Sequence, residues 1–229
     1  LNLLKEILQV FYPSTCLICE THLNSNENLI CFSCENQLPY TEFSRLEQNP
    51  FEKKLQGRLH IQAATSSLYF RKNNVTQKLI HHLKYKGLQQ VGTYLAKKLG
   101  REMQASNRFN RVEGIVMVPL DQKKLKIRGY NQLTEFSKQL GKELNIPVFD
   151  NVLIKNNFTE SQTHKNKNER FESLNHFFET VNLDQIKNKH ILLVDDVITT
   201  GATLEQCVSE LSKVENIKIS LATMAYSEN

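Results

Sequence analysis

No apolar run in this 229-residue chain is long enough to cross a bilayer. The longest, residues 115–120 and 191–194, fall far short of the roughly 20 apolar residues a spanning helix needs. Residues 1–11 carry Lys5 and Glu6 among apolar side chains and lack a basic region followed by an apolar block, so a secretory signal is not expected. Internal repeats and low-complexity tracts are absent. So are G-x-x-x-x-G-K-S/T and G-x-G-x-x-G, which removes two common nucleotide-binding loops. Neither charge dominates: a net +5 permits contact with phosphates or nucleic acid without demanding it. With 40% hydrophobic and 23% charged residues, the chain is expected to be globular and soluble. Its length suits one ordinary domain plus a small appendage.

What is present is concentrated in residues 191–203. A short apolar run, Ile191-Leu-Leu-Val194, ends in Asp195 and Asp196. Thr199, Thr200, Gly201, Ala202 and Thr203 follow, and an amphipathic stretch begins. That order predicts a buried strand, a tight loop and a helix start. Backbone N–H groups at a helix start have no intrahelical partner and favour an anion. The threonine hydroxyls add donors, and Gly201 lets the backbone come close to a ligand. The two carboxylates can hold hydroxyls or a hard cation such as magnesium. A ligand with a phosphate at one end and a sugar diol beside it would fit. The plain alternative is a strand capped by an acidic turn. Receiver domains also place adjacent aspartates at a strand end, but near the start of the domain; here only about one helix and one strand follow.

Four of the five cysteines are crowded near the start. Cys16-Leu-Ile-Cys19 is followed by eleven residues and then Cys31-Phe-Ser-Cys34. Two such knuckles can close a tetrahedral thiolate site around a structural zinc. The alternative is disulfide or redox chemistry, which a reducing cytosol disfavours. His22 could replace a ligand, but four thiolates need no help. Metal binding would then supply much of the folding free energy of so small an element. Cys207, on the predicted last helix, reads as a buried small apolar residue.

Elsewhere the pattern alternates strand and helix. Leu4, Ile7, Leu8 and Phe11 predict an opening helix stopped by Pro13. Residues 35–56, interrupted by Pro39 and Pro50, read as a link, dividing the chain into a helix, zinc element and linker (1–58) and a main domain (59–229). Strands are expected at 60–70, 114–120, 148–154, 191–194 and 217–226. Helices are expected after Asn74 (with Val75, Leu79, Ile80 and Leu83 as the apolar face), at 89–103, along Leu133, Phe136, Leu140 and Leu144, and at 202–213. Residues 156–172 read as polar loop with some helix. Such alternation implies a parallel α/β sheet flanked by helices, Rossmann-like, with ligands at the carboxyl ends of its strands.

The segment Asp195 to Thr203 resembles the phosphoribosyl-pyrophosphate loop of the type I phosphoribosyltransferases, in which the acidic pair binds the ribose hydroxyls and the Thr-Thr-Gly-x-Thr turn wraps the 5′-phosphate. Nearly the whole chain resembles the ComF family of ComFC-like competence proteins. The shared parts run in order: the four-cysteine element, Leu83-Lys-Tyr-Lys-Gly87, Val118-Pro-Leu120, Arg128-Gly-Tyr-Asn-Gln132, Ser161-Gln-Thr163 with Arg170, and Val194-Asp-Asp-Val197. The resemblance implies a phosphoribosyltransferase fold fused to a zinc finger and a link to natural transformation, the uptake of single-stranded DNA. By position, Leu120 and Asp121 would touch pyrophosphate. A flexible basic loop carrying Lys123, Lys124, Lys126 and Arg128 would close over it, unless those residues are only a solvated basic face. Lys84 is a further phosphoribosyl-pyrophosphate contact, although helix C-termini favour Lys84 and Lys86 for dipole reasons alone. Gln162 and Arg170 match without an assigned chemistry, and His81, His82 and His164 are expected at the surface.

Three roles follow. One is a competence factor that binds phosphoribosyl pyrophosphate with magnesium, with single-stranded DNA and other competence proteins as further expected partners. Another is an active magnesium-dependent transferase with Asp195 and Asp196 as its catalytic carboxylates and a nitrogenous acceptor. The third is a non-catalytic metabolite sensor. Single-stranded DNA would need aromatic platforms beside the basic residues; Tyr130, Tyr40 and Phe43 are candidates, or else packing residues. Homodimers are common in this fold.

Overall fold

Amphipathic helices and apolar strands alternate through residues 14–156 and 177–228, which the computed structural model describes. The predicted opening helix, and Gln162, His164 and Arg170 of the polar stretch, lie outside those residues. The strands are β1 (Ala64–Phe70), β2 (Gly114–Met117), β3 (Val148–Phe149), β4 (Leu153–Lys155), β5 (Phe178–Thr180), β6 (His190–Ile198) and β7 (Lys218–Ser227). The helices are α1 (Phe32–Glu35), α2 (Pro50–Leu55), α3 (Val75–Tyr85), α4 (Gln90–Gln104), α5 (Gln122–Arg128), α6 (Leu133–Leu144) and α7 (Ala202–Leu211). Five strands form one sheet in the order β1-β7-β6-β2-β3, every neighbouring pair parallel. This is the expected α/β architecture. No helix among the described residues is long and apolar enough to cross a membrane.

β6 is central because its sequence suits no other place. Ile191, Leu192, Leu193 and Val194 are fully buried between β2 and β7, as a strand covered on both faces requires. Its pairing with β2 stops at Val194, opposite Met117, while its pairing with β7 runs on to Ile198. Asp195 and Asp196 therefore lie past the end of β2. The chain leaves β6 toward β7 and leaves β2 toward β3, so the crossovers diverge. A crevice opens where they part, at the carboxyl ends of β2 and β6.

The helices follow their apolar faces. Asn74 caps α3 by accepting from Gln77 N–H at 3.0 Å, and Leu79, Ile80 and Leu83 are buried beneath it. Val91, Leu95, Leu99 and Met103 of α4 meet the core, as do Leu133, Phe136 and Leu140 of α6. Cys207 is buried in α7 as expected.

Three local expectations change. The strand expected over 148–154 is two strands: β3 joins the main sheet, and β4 pairs antiparallel with β5. Asp150 and Asn151, both turn formers, divide them. The stretch 35–56 is no loose link. Asn49 accepts from Phe51 N–H and Glu52 N–H, Pro50 starts α2, and Phe43, Phe51 and Leu55 are buried in the main core. Each contributes about 2–3 kcal/mol of apolar burial. The basic segment expected to be a flexible loop is the helix α5. Asp121 caps it by accepting from Lys123 N–H at 2.9 Å, and Gly129 ends it in a left-handed conformation. Lysine, leucine and arginine are good helix formers, and nothing between the caps breaks the turn. None of its residues is buried, so the caps hold it.

Candidate functional site

The crevice between β2 and β6 holds a cavity of about 410 Å³. Asp195, Asp196 and Thr203 form one wall, and Pro119, Leu120 and Asp121 another. Lys84 of α3, Lys124 and Arg128 of α5 and Lys155 of β4 bring positive charge from three different elements. Gln132, Gln206, Phe177 and Phe178 complete it. Most of the expected ligand-binding residues thus converge on one space. Lys123 and Lys126 of α5, and Thr199 to Ala202 of the turn, do not line it.

The carboxylates are held by β6 itself. Beyond β2 the strand has spare N–H groups, and each aspartate takes the next one: Asp195 Oδ1 accepts from Asp196 N–H at 2.8 Å, and Asp196 Oδ1 from Val197 N–H at 2.6 Å. Asp196 Oδ2 is gripped twice more, by Lys84 Nζ at 2.6 Å and Gln132 Nε2 at 2.8 Å. Arg128 in turn donates to the Gln132 amide oxygen. Burial and the neighbouring charge of Asp196 push the Asp195 carboxyl up to about 7, against the lowering effect of the Asp196 N–H and Lys84. Asp121 spends its carboxylate on capping α5, with Lys155 Nζ 3.9 Å away.

Thr199, Thr200, Gly201 and Ala202 turn the chain from β6 into α7. Gly201 has no side chain to cap α7; Thr200 Oγ1 accepts from Ala202 N–H at 3.4 Å, and the next first-turn N–H groups are open to an anion. The turn is braced from behind by residues that sequence reading missed. Lys54 Nζ donates to Thr199 O at 2.9 Å and Ser227 O at 2.5 Å; an Arg58 guanidinium nitrogen donates to Thr200 O at 3.0 Å, and Arg58 also pairs with Glu205. Gly201 has φ +87°, and a Cβ there would lie 2.8 Å from Leu55 Cδ2. Gly201→Ala should therefore cost about 1–3 kcal/mol in urea denaturation. In combination with Leu55→Ala the loss should be less than the sum of the two, because Leu55 no longer meets the new Cβ. Strict additivity would show that the contact does not matter.

The four expected cysteines meet at a second place. Their sulfurs all lie within 4.8 Å of one another, and Cys19 Sγ is 3.6 Å from Cys31 Sγ. A tetrahedron of Zn–S bonds near 2.3 Å spaces its sulfurs at about 3.8 Å. Backbone N–H groups point at the sulfurs, Cys31 N–H at Cys16 Sγ (3.3 Å) and Cys34 N–H at Cys31 Sγ (3.5 Å). Hydrogen bonds from Thr21 hold the Cys19 thiol down to about 6, while burial and the adjacent sulfurs push Cys34 up. So crowded a set cannot all ionise without a cation, and this donor set suits zinc. His22 is not among these ligands; it pairs in a bridge with Thr15. The element is tied to the main body by Lys78 Nζ, which donates to Ile18 O at 3.1 Å, and by a Glu35–Lys98 ion pair.

The three aromatic candidates for stacking bases are packing residues. Tyr130 donates its hydroxyl to Leu83 O, Tyr40 pairs with Tyr94 through their hydroxyls at 3.2 Å, and Phe43 meets Tyr69 and Tyr226 edge-on at 5.4 Å. His81 is exposed, as expected, against the Tyr85 ring, but His82 buries Nδ1 without a partner among the described residues.

Comparison with known proteins agrees with this geometry. The phosphoribosyl transferase domain family matches residues 133–228, from α6 through β7. Competence protein F of Haemophilus influenzae is 26% identical over 220 residues, covering 91% of this chain and 96% of that protein. Residues 133–228 are thus similar to the phosphoribosyl transferase domain, and nearly the whole chain is similar to a competence protein. A DNA utilization protein of Escherichia coli K12 is 28% identical over 131 residues, covering 56% of this chain and 57% of its own length. Among solved structures, the glutamine phosphoribosylpyrophosphate amidotransferase of B. subtilis aligns at 15% identity and TM-score 0.44, over 62% of this chain and 30% of that one. Competence protein F thus matches almost end to end, whereas the family domain matches residues 133–228, which carry Asp195 to Thr203.

Proposed function

We propose that this ComF relative binds phosphoribosyl pyrophosphate with magnesium at the β2–β6 crevice and serves natural transformation in the cytoplasm. One observation carries the ligand: an acidic pair and an open helix start share a cavity with four cationic side chains. The 5′-phosphate would sit on the turn from Thr199 to Thr203, and the ribose hydroxyls against Asp195 and Asp196. The diphosphate would lie toward Lys84, Lys124 and Arg128, beside Leu120 and Asp121. Magnesium would be held between the diphosphate and the carboxylates and would neutralise charge there. The competence role is supported by the relation to competence protein F, and a role in handling single-stranded DNA by the exposed basic α5. The chain would work as a zinc element with a connecting segment (1–58) whose second half packs into the core of a phosphoribosyl-binding domain (59–229).

An active transferase is the second reading, favoured by Phe177 and Phe178. They form an aromatic wall of the same cavity, on which a planar nitrogenous acceptor could rest. Asp195 and Asp196 would then orient the ribose while the basic residues stabilise the departing pyrophosphate.

Calorimetric titration of magnesium phosphoribosyl pyrophosphate into the zinc-loaded protein tests the ligand. Binding should be clear for the natural chain and fall by about 100-fold or more in an Asp195→Asn/Asp196→Asn variant. A folded natural protein that takes up no ligand would overturn the reading.

A further inference from the structure

Asp196 faces the cavity with both oxygens engaged. Val197 N–H occupies Oδ1; Lys84 Nζ and Gln132 Nε2 share Oδ2. Asp195 is different: one oxygen accepts from Asp196 N–H, and the other has no hydrogen bond among the described residues. Lys84 and Gln132 fill both lone pairs of Oδ2, so a cation approaching Asp196 through that oxygen competes with Lys84. Lys84 stands at the last turn of α3, mostly buried, and lines both this cavity and an adjoining one of about 470 Å³ with Tyr85, Lys124, Arg128 and Tyr130.

We propose that Lys84 is an internal counter-ion that reserves Asp196 for a metal arriving with its own diphosphate and turns bare divalent cations away. The inference rests on the phosphoribosyl reading of the site, and it names the form of ligand that the site admits. A bare cation would push Lys84 off its carboxylate and leave an ammonium group beside a double positive charge, with Lys124 and Arg128 adding to the repulsion. A metal diphosphate brings phosphate oxygens, so the displaced ammonium exchanges one anionic partner for another. Gln132 keeps its hold on Asp196 in either case, so the carboxylate stays in place while Lys84 moves. If Lys84 covers Asp196 in nine molecules of ten, the apparent affinity for a bare cation falls about tenfold.

Manganese(II) binding, read by electron paramagnetic resonance on zinc-loaded protein, tests this without phosphoribosyl pyrophosphate. The titrations are run at pH 8.5, above the range in which Asp195 titrates. The natural protein should bind manganese(II) weakly, and inorganic pyrophosphate should strengthen that binding. Lys84→Met should bind manganese(II) alone about tenfold more tightly and lose most of the strengthening by pyrophosphate. Lys84→Arg keeps the charge, should behave like the natural protein, and separates charge from a packing defect. Equal manganese(II) affinity in the natural and Lys84→Met proteins would overturn the proposal, as would an unchanged pyrophosphate effect. Failure of phosphoribosyl pyrophosphate to bind in calorimetry would instead count against the phosphoribosyl reading and leave these titrations interpretable.

Discussion

Cys31→Ser is expected to release the metal and destabilise the protein by about 4–5 kcal/mol or more. Of the roles of Cys31, serine keeps two, the cap on α1 and the backbone N–H donated to Cys16 Sγ, so the loss reports the missing thiolate ligand. The element around it has little else to hold it. α1 is four residues long, and the exposed Phe32 at its start contributes almost nothing to burial. Ile18, Ile30 and Leu38 are buried, but an apolar cluster that small does not fold alone. Zinc content and thermal melting, with and without a chelator, measure the effect. Chelation of the natural protein should reproduce the loss seen in Cys31→Ser. Cys207→Ser is the control: it places a hydroxyl in a fully buried site of α7, should cost about 1–3 kcal/mol, and should leave the zinc content unchanged. A melting profile indifferent to the chelator would mean that the four sulfurs do not hold a structural metal.

The parts of this molecule that were legible in its sequence are those written in consecutive residues. The run from Ile191 to Thr203 states a buried strand, an acidic end, a turn and a helix start without reference to any other segment, and β6 and α7 follow it. The knuckles of Cys16, Cys19, Cys31 and Cys34 state a cluster in the same way, and Asn74 announces α3. What stayed hidden depends on residues far apart in the chain. Lys54 and Thr199 are 145 positions apart, and nothing near Lys54 says that its ammonium will hold a carbonyl of the turn between β6 and α7. Phe43 and Phe51 sit among polar residues and prolines, yet the core closes over both because β1 and β7 present an apolar surface there. The basic segment was legible as a charge pattern and not as a helix, because charge reports where a segment can act, while Asp121 and Gly129 as caps decide its backbone. Lys84 could be read as a helix-end lysine; that it would sit on Asp196 needed the crossover geometry.

Asp195→Asn is expected to stabilise the ligand-free protein at neutral and alkaline pH while removing the phosphoribosyl binding proposed above. The folded carboxyl titrates near 7, and in the unfolded chain near the ordinary value of about 3.9. The native state thus holds the Asp195 proton more tightly than the unfolded state does. Its contribution to stability is fully present below about pH 4 and is lost as the pH rises through about 7. Above that, the natural protein carries a half-buried negative charge beside Asp196 that the asparagine variant lacks. The variant should be more stable there by on the order of 1–4 kcal/mol, and the difference should shrink toward zero as the pH falls to 4. Subtracting the two stability curves at each pH removes the histidines, including His190, whose burial lowers its own titration. A difference curve flat between pH 5 and 8 would mean that Asp195 titrates like an exposed carboxylate. The same proton links the site to its ligand. A metal-bound phosphoribosyl ligand needs the ionised carboxylate, so binding near or below pH 7 must release the proton, and affinity should weaken by up to about tenfold for each pH unit below 7. The strain of holding two carboxylates together is then relieved only when the cationic half of the ligand arrives, which places the instability of the empty site and its affinity for a metal diphosphate in one residue.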